Sequence, residues 1–439
     1  MHIVKFSCWW LLCLIGSAAV PVQAGSMIDL LNLTFQGNPA LRSQAQLVQA
    51  SQAEIRGANW QFFPTPSVSV EQVNASQNDS SYNSKDGRVL TLRLQQPLWT
   101  GGRLTAGVGR AEAGMAAAQA QMEETRQQLA LRTIQAWGEW KAGQQKLAAL
   151  RGSVQTHQKL VALIQRRIDG GVSALADEVL AQGRLEQTLA DAMAAQSQLT
   201  AALAKLESLT GQRVADEQVS AYSVAAVEPV GQLAALLDNA WVNSPTAMKL
   251  RAQVRQQELD VEIRKAQLLP EVYARAEHQQ GSFTSFGPSS ANRFFIGLSA
   301  TPGAGLSALS GVDAAVARLQ SFQSELDATR RSLIEQVSLE HVSALTQAQR
   351  RVSLRSGLSS TQAMVDSWDR QFLAGRKTWV EVMNAARELA QAQTALAEVE
   401  VGYVVATWRL AVLAEGVPAI ISGLGAPIQA TPASNPTRP

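Results

Sequence analysis

From about Leu104 the chain keeps a helical pattern, without a proline, until Pro229. One break interrupts it, at Asp169-Gly-Gly-Val-Ser-Ala-Leu-Ala-Asp177. Upstream, Leu147, Leu150, Val154, His157, Val161, Ile164 and Ile168 alternate spacings of three and four. Downstream, Leu185, Leu189, Ala192, Gln196, Leu199, Leu203 and Leu206 do the same. This is a coiled-coil seam, narrower than the apolar stripe of a globular helix. A helix from Leu104 to Ile168 has about 65 residues and is roughly 100 Å long. No compact domain needs such a rod. Gly170-Gly171 can supply a left-handed cap, so the two helices are expected to fold back as a hairpin with its tip there.

The second half of the chain starts over. Asn38-Pro39 is echoed by Ser244-Pro245, and Phe62-Phe-Pro64 by Leu268-Leu-Pro270, both at an offset of 206 residues. Pro97 is echoed by Pro302, and Gly171 by Gly375 in a second tip, Phe372-Leu-Ala-Gly-Arg-Lys-Thr-Trp-Val-Glu381. Regular self-similarity of this kind means two copies of one unit. Each copy also carries a hairpin signal. Ser67–Glu71 and Val89–Gln95 alternate polar with apolar around the polar stretch 74–87. Glu271–Glu277 and Phe294–Ala300 flank another polar stretch, 279–293. The unit is thus helix, β-hairpin, then long coiled-coil hairpin.

Four strands cannot close a barrel, and an open hairpin in lipid leaves backbone groups unpaired. Completion by other copies is the way out, and three copies give twelve strands, an even number suited to an outer-membrane barrel. Leu90, Leu92 and Leu94 would face lipid, and Arg93, Arg275 and Glu277 a polar lumen. The bland alternative is a soluble hairpin on a coiled-coil stalk. Residues 1–24 read as a signal peptide: Lys5, the apolar run Phe6–Ala19, and the small-residue site Val22-Gln-Ala24. Both cysteines, Cys8 and Cys13, fall inside it. The mature chain then has no disulfide, thiolate metal site, cysteine nucleophile or lipid-bearing cysteine. The expected divisions are 1–24, a first repeat 25–228, a second repeat 229–417 and a flexible proline-rich tail 418–439. A net charge of +2 gives no electrostatic case for nucleic acid.

The chain resembles the TolC family of outer-membrane efflux and secretion proteins. The resemblance rests on Asn38-Pro39, Leu-Leu-Pro270, Gln96-Pro-Leu-Trp-Thr-Gly-Gly-Arg103, Gly171-Val-Ser-Ala-Leu-Ala-Asp177 and Gly375-Arg-Lys-Thr-Trp-Val-Glu-Val-Met-Asn-Ala385, in family order. It implies a homotrimer, mainly α with membrane β. A twelve-stranded barrel would cross the outer membrane, and a periplasmic α-helical barrel would taper to the tips. It also implies a periplasmic adaptor (membrane fusion protein) and an inner-membrane ABC or proton-driven transporter as partners. The expected function is the exit duct of a tripartite exporter, in type I protein secretion. Multidrug efflux is the close alternative, and a pore-less periplasmic scaffold the alternative of another class.

No catalytic constellation, cofactor site or metal-ligand spacing emerges, and the methionines are scattered, which argues against a thioether path. His157 falls on the seam, where packing is the ordinary role. By match to the family, Asp177, Lys377, Phe372 and Arg376 are expected at the periplasmic gate. Lys377 stands where the family has arginine and Phe372 where it has tyrosine, so the fork and the hydroxyl are lost. Glu381 and Asn384 match the pore constriction. Gly171, Val172, Leu175, Gly375 and Trp379 are expected at adaptor-docking tips, where the apolar Val172, Leu175 and Trp379 are candidate contacts for an adaptor hairpin or for neighbouring helices.

Overall fold

The computed structural model describes residues 26–72, 88–213, 219, 224–227, 232–282, 290–301, 303 and 307–423. The expected signal segment, the whole polar stretch 74–87, residues 283–289 of the second polar stretch and residues 424–439 of the expected tail lie outside them. The elements follow the repeat. In the first copy they are α1 (Met27–Gly37), α2 (Pro39–Trp60), β1 (Thr65–Gln72), β2 (Arg88–Trp99), α3 (Arg103–Asp169) and α4 (Leu175–Thr210). In the second they are α5 (Leu233–Asn243), α6 (Pro245–Ala266), β3 (Glu271–Gln280), β4 (Ser290–Ser299), α7 (Ser307–Leu373) and α8 (Trp379–Glu415), followed by α9 (Val417–Gly423).

The long helices α3 and α7 have 67 residues each, or about 100 Å. Each is flanked by two shorter helices stacked end to end. α4 covers the half of α3 towards the tip and α2 the half towards the sheet. An asparagine locks each joint. Asn38 caps α2 through the Ala40 N–H at 2.9 Å and donates from Nδ2 to the Leu209 carbonyl at the end of α4. In the second copy Asn243 Nδ2 donates to the Ala414 carbonyl near the end of α8. Around these joints sits the main core, with Leu30 and Leu31 of α1, Ile134, Trp137 and Trp140 of α3, Leu199 and Leu206 of α4, and Trp408 and Val412 of α8. Close backbone approach is built in. A Cβ at Gly138 would meet a Val405 methyl at 2.4 Å, too near for any side chain there without a shift.

The four strands form one antiparallel sheet in the order β1-β2-β3-β4. Val68 lies opposite Leu92, and Leu94 opposite Ala276, which is opposite Phe294. Val68, Val70, Leu92, Leu94, Phe294, Ile296 and Leu298 are exposed along this face. Arg93, Glu277 and Arg293 share one register row on the other. The leucine and arginine faces are therefore as the alternation predicts. The strands run further than expected, leaving only residues 281–289 between β3 and β4. β2 continues through Gln96 and Pro97 to Trp99, because an irregularity between Pro97 and Trp99 absorbs one residue. That shift brings Trp99 opposite Val272, which is opposite Leu298, on the apolar side.

Two helical boundaries differ from the sequence reading. α4 stops at Thr210, well before Pro229, because Gly211 takes a left-handed conformation (φ +70°). A Cβ at Gly37 would clash with the Thr210 carbonyl at 2.0 Å, so α4 ends against the α1–α2 junction. The stretch assigned to the flexible tail begins with a helix. α9 buries Val417 and Ile420 in the main core, so Pro418 sits inside ordered structure.

Candidate functional site

Both tips use the same turn chemistry. At the first, the Gly171 N–H donates to the Ile168 carbonyl and the Val172 N–H to the Arg167 carbonyl. At the second, the Gly375 N–H donates to Phe372 and the Arg376 N–H to Gln371. These are Schellman closures, and they need a left-handed residue. Gly171 (φ +73°) and Gly375 (φ +74°) supply it. The next helix then starts on a carboxylate three residues in. Glu381 accepts from the Thr378 N–H at 2.9 Å and the Thr378 hydroxyl at 2.9 Å, and Thr378 caps the Glu381 N–H in return. In the first copy Asp177 accepts from the Ala174 N–H at 3.3 Å. Alanine has no acceptor, so that capping box is one-sided. Asp177 and Glu381 are thus repeat-equivalent helix caps.

The expected gate residues meet different partners within the protomer. Lys377 Nζ lies 2.6 Å from Glu381 Oε1 and 4.4 Å from the centre of the Trp368 ring. This hydrogen bond from Lys377, followed by those from Thr378, holds the Glu381 carboxyl down to about 2. Asp177 and Lys377 are not brought together in one chain. The Lys377 charge offsets that of Glu381, so a constriction built from Glu381 carries less bare negative charge than the carboxylate alone suggests. Arg376 is exposed, and so are Val172 and Leu175 at 70% and 68%.

Two expected residues are interior. Phe372 is 1% exposed and Trp379 7%. They pack with Leu160, Ile164, Ala181, Val382 and Met383 in a small core that joins both hairpins. Trp379 therefore meets neighbouring helices, the second of its two expected contacts: the α8 cap turns its first residue inward, away from the exposed turn. Phe372 holds its place by packing, and the Arg167 guanidinium stands 5.1 Å over its ring.

The sequence reading missed the polar link between the hairpins. Arg184 on α4 donates from Nη1 to Asn384 Oδ1 on α8 at 2.6 Å, half-buried. Asn384 was expected to line a pore, and here it is an acceptor for its own protomer's other hairpin. A signal existed, since Arg184 falls one residue before the seam position Leu185. His157 is buried nearby and its Nδ1–H donates to the Ser153 carbonyl at 2.8 Å. Burial pushes its imidazole below the ordinary value. The bond to Ser153 opposes this, and Arg184 and Arg387 add to it. The cavity beside it, about 450 Å³, is lined by Ser153, Arg184, Asp191 and Arg387 among others.

A two-faced sheet set on rods of about 100 Å, which converge on capped tips, is the geometry that a subunit of an outer-membrane channel reaching into the periplasm requires. The chain belongs to the Outer membrane efflux protein family, whose model matches residues 30–212 and 236–414. It is similar to the nickel-cobalt-cadmium resistance protein NccC of Alcaligenes xylosoxydans xylosoxydans, at 26% identity over 70% of this chain and 69% of that one. It is also similar to the alkaline protease secretion protein AprF of Pseudomonas aeruginosa, at 24% identity over 84% of this chain and 77% of that one. Its fold matches the outer-membrane channel OprN with a TM-score of 0.76, at 18% identity, over 89% of this chain and 90% of that one. The family consists of channels, and the chain is a transport protein and not an enzyme.

Proposed function

We propose that this channel is the exit duct of a type I protein secretion system, working with an ABC transporter and a periplasmic adaptor. Its place as the outer-membrane component of a tripartite exporter follows from the family. The observation that carries the finer reading is the match to AprF, a secretion protein, which runs through 84% of the chain. The match to NccC, a metal resistance protein, favours small-solute efflux as the second reading. The scattered methionines weigh only against a thioether path for soft metal ions. In vivo crosslinking at the tips tests the choice. An ABC ATPase recovered with the adaptor supports secretion, and a proton-driven pump in its place overturns it.

Three protomers complete the channel, on this reading. The sheet has two unpaired edges, β1 and β4, and such edges are closed in lipid. The gate lies at the tips. Arg184–Asn384 and Arg167–Phe372 tie the two hairpins within a protomer. Asp177, Lys377 and Arg376 act between protomers. Glu381 rings the constriction with its charge tempered by Lys377. The adaptor docks on the turns through Gly171, Val172, Leu175 and Gly375, the exposed part of each tip.

A further inference from the structure

One cluster in the sheet is not used by the gate or by docking. On the face opposite the leucines, Glu277 Oε2 lies 3.6 Å from Arg93 Nε and 3.7 Å from Arg275 Nε, and Glu277 Oε1 lies 3.8 Å from Arg293 Nη1. All three distances are too long for direct hydrogen bonds of normal strength. Arg275 Nε is buried with no hydrogen-bond partner among the described residues. Arg293 donates to Gln279 at 2.9 Å, and the Arg275 guanidinium stands 4.6 Å over Phe295. Three guanidinium charges against one carboxylate leave two unbalanced positive charges per protomer. The side chains of Arg93 and Arg293 remain 42% and 45% exposed.

Register fixes the shape of the cluster. Arg93, Glu277 and Arg293 share one row across β2, β3 and β4. Arg93 and Arg293 are two strands apart, about 10 Å, and Arg275 lies about 7 Å further along β3. In a closed trimer the threefold axis sets three copies of the cluster at one height around the lumen, and together they bring six surplus charges. Arginine forks suit oxyanions because two N–H groups meet two oxygens.

We propose that this arginine belt is a binding site for multivalent oxyanions inside the β-barrel, and that it makes the barrel prefer anionic solutes. The inference rests on the channel reading above. The probe is tripolyphosphate, titrated calorimetrically into purified trimer, with ion selectivity in a potassium chloride gradient across a planar bilayer as the second readout. Binding is expected to weaken by about tenfold or more in Arg275→Gln with Arg293→Gln, the scale of one lost charge-assisted contact. Glu277→Gln is expected to tighten it, an effect that a merely structural glutamate would not produce. Arg110→Gln, on α3 outside the sheet, leaves binding unchanged. Trimers that conduct yet neither bind tripolyphosphate nor favour anions overturn the belt and leave the channel standing. Protein that forms no heat-resistant trimer in outer membranes overturns the channel reading, and the belt with it.

Discussion

Glu381 carries two tasks at once. It closes the capping box of α8, and it is the partner of Lys377. Its folded value of about 2 lies below the ordinary carboxylate value near 4.5. Stability from a depressed carboxylate is fully present above the unfolded value and is lost as pH falls through the folded one. Local melting of the second tip, followed by hydrogen exchange at Val382 and Met383, is therefore expected to be flat from pH 7 to 5. It should rise between about 4.5 and 2, and Glu381→Gln should remove that rise. A variant with the wild-type pH profile would refute the assignment. Arg184 and Asn384 make the matching case for a charged donor on a neutral acceptor. A hydrogen bond to a charged group contributes about 1.5–3 kcal/mol. Arg184→Ala and Asn384→Ala should each loosen the tips, and the double variant should cost no more than either single change. Additive losses, read from thermal unfolding of the trimer, would show that the two side chains act separately.

At the level of elements, the repeat was the most legible feature. α2 and α6 begin at Pro39 and Pro245, α4 and α8 at Leu175 and Trp379, as the sequence echoes imply. Hairpin faces were legible because alternation has a period of two, so Leu92 and Arg93 could be assigned opposite sides. The extra residue near Leu98 was not, because only pairing with β3 reveals where a strand absorbs it. Which of its two expected contacts Trp379 makes was not legible for a related reason. Exposure of a turn does not decide which way the first residue of the next helix points; the small core around Phe372 does. The strand assignment has a direct consequence. Leu92→Arg puts a charge on the lipid side, at a cost of about 2–4 kcal/mol near the bilayer midplane, while Arg93→Leu alters only the lumen. Heat-resistant trimer in outer membranes should fall for Leu92→Arg and persist for Arg93→Leu. Equal yields would mean that the two faces are interchanged.

At the scale of the molecule, the protomer is lopsided. α3 buries residues along its whole length, whereas α7, equally long, buries only Ala315, Val337, Ala344 and Phe372. α2 buries only Leu41, though its repeat partner α6 buries six. The helices and strands run in the same lateral order, with α2 and β1 at one flank and α7 and β4 at the other. The bare flanks are what neighbouring copies would cover, and this places contacts between protomers on the path of any gate. Asp177 offers a clean way to separate gating within a protomer from gating between protomers. Asn at 177 still accepts from the Ala174 N–H, so the cap persists and only the charge is lost. If Asp177 pairs with Lys377 of a neighbour, three coupled pairs of about 0.5 kcal/mol each hold the tips, and losing them shifts the closed–open equilibrium roughly tenfold. Asp177→Asn should then raise single-channel conductance, and Lys377→Glu should raise it further by turning attraction into repulsion. The swap of Asp177→Lys with Lys377→Glu should restore much of the closed state. Low salt sharpens the comparison, because surface pairs are least screened there. Should Asp177→Asn conduct like wild type under those conditions while Asn384→Ala opens the channel, the latch is the Arg184–Asn384 link inside each protomer.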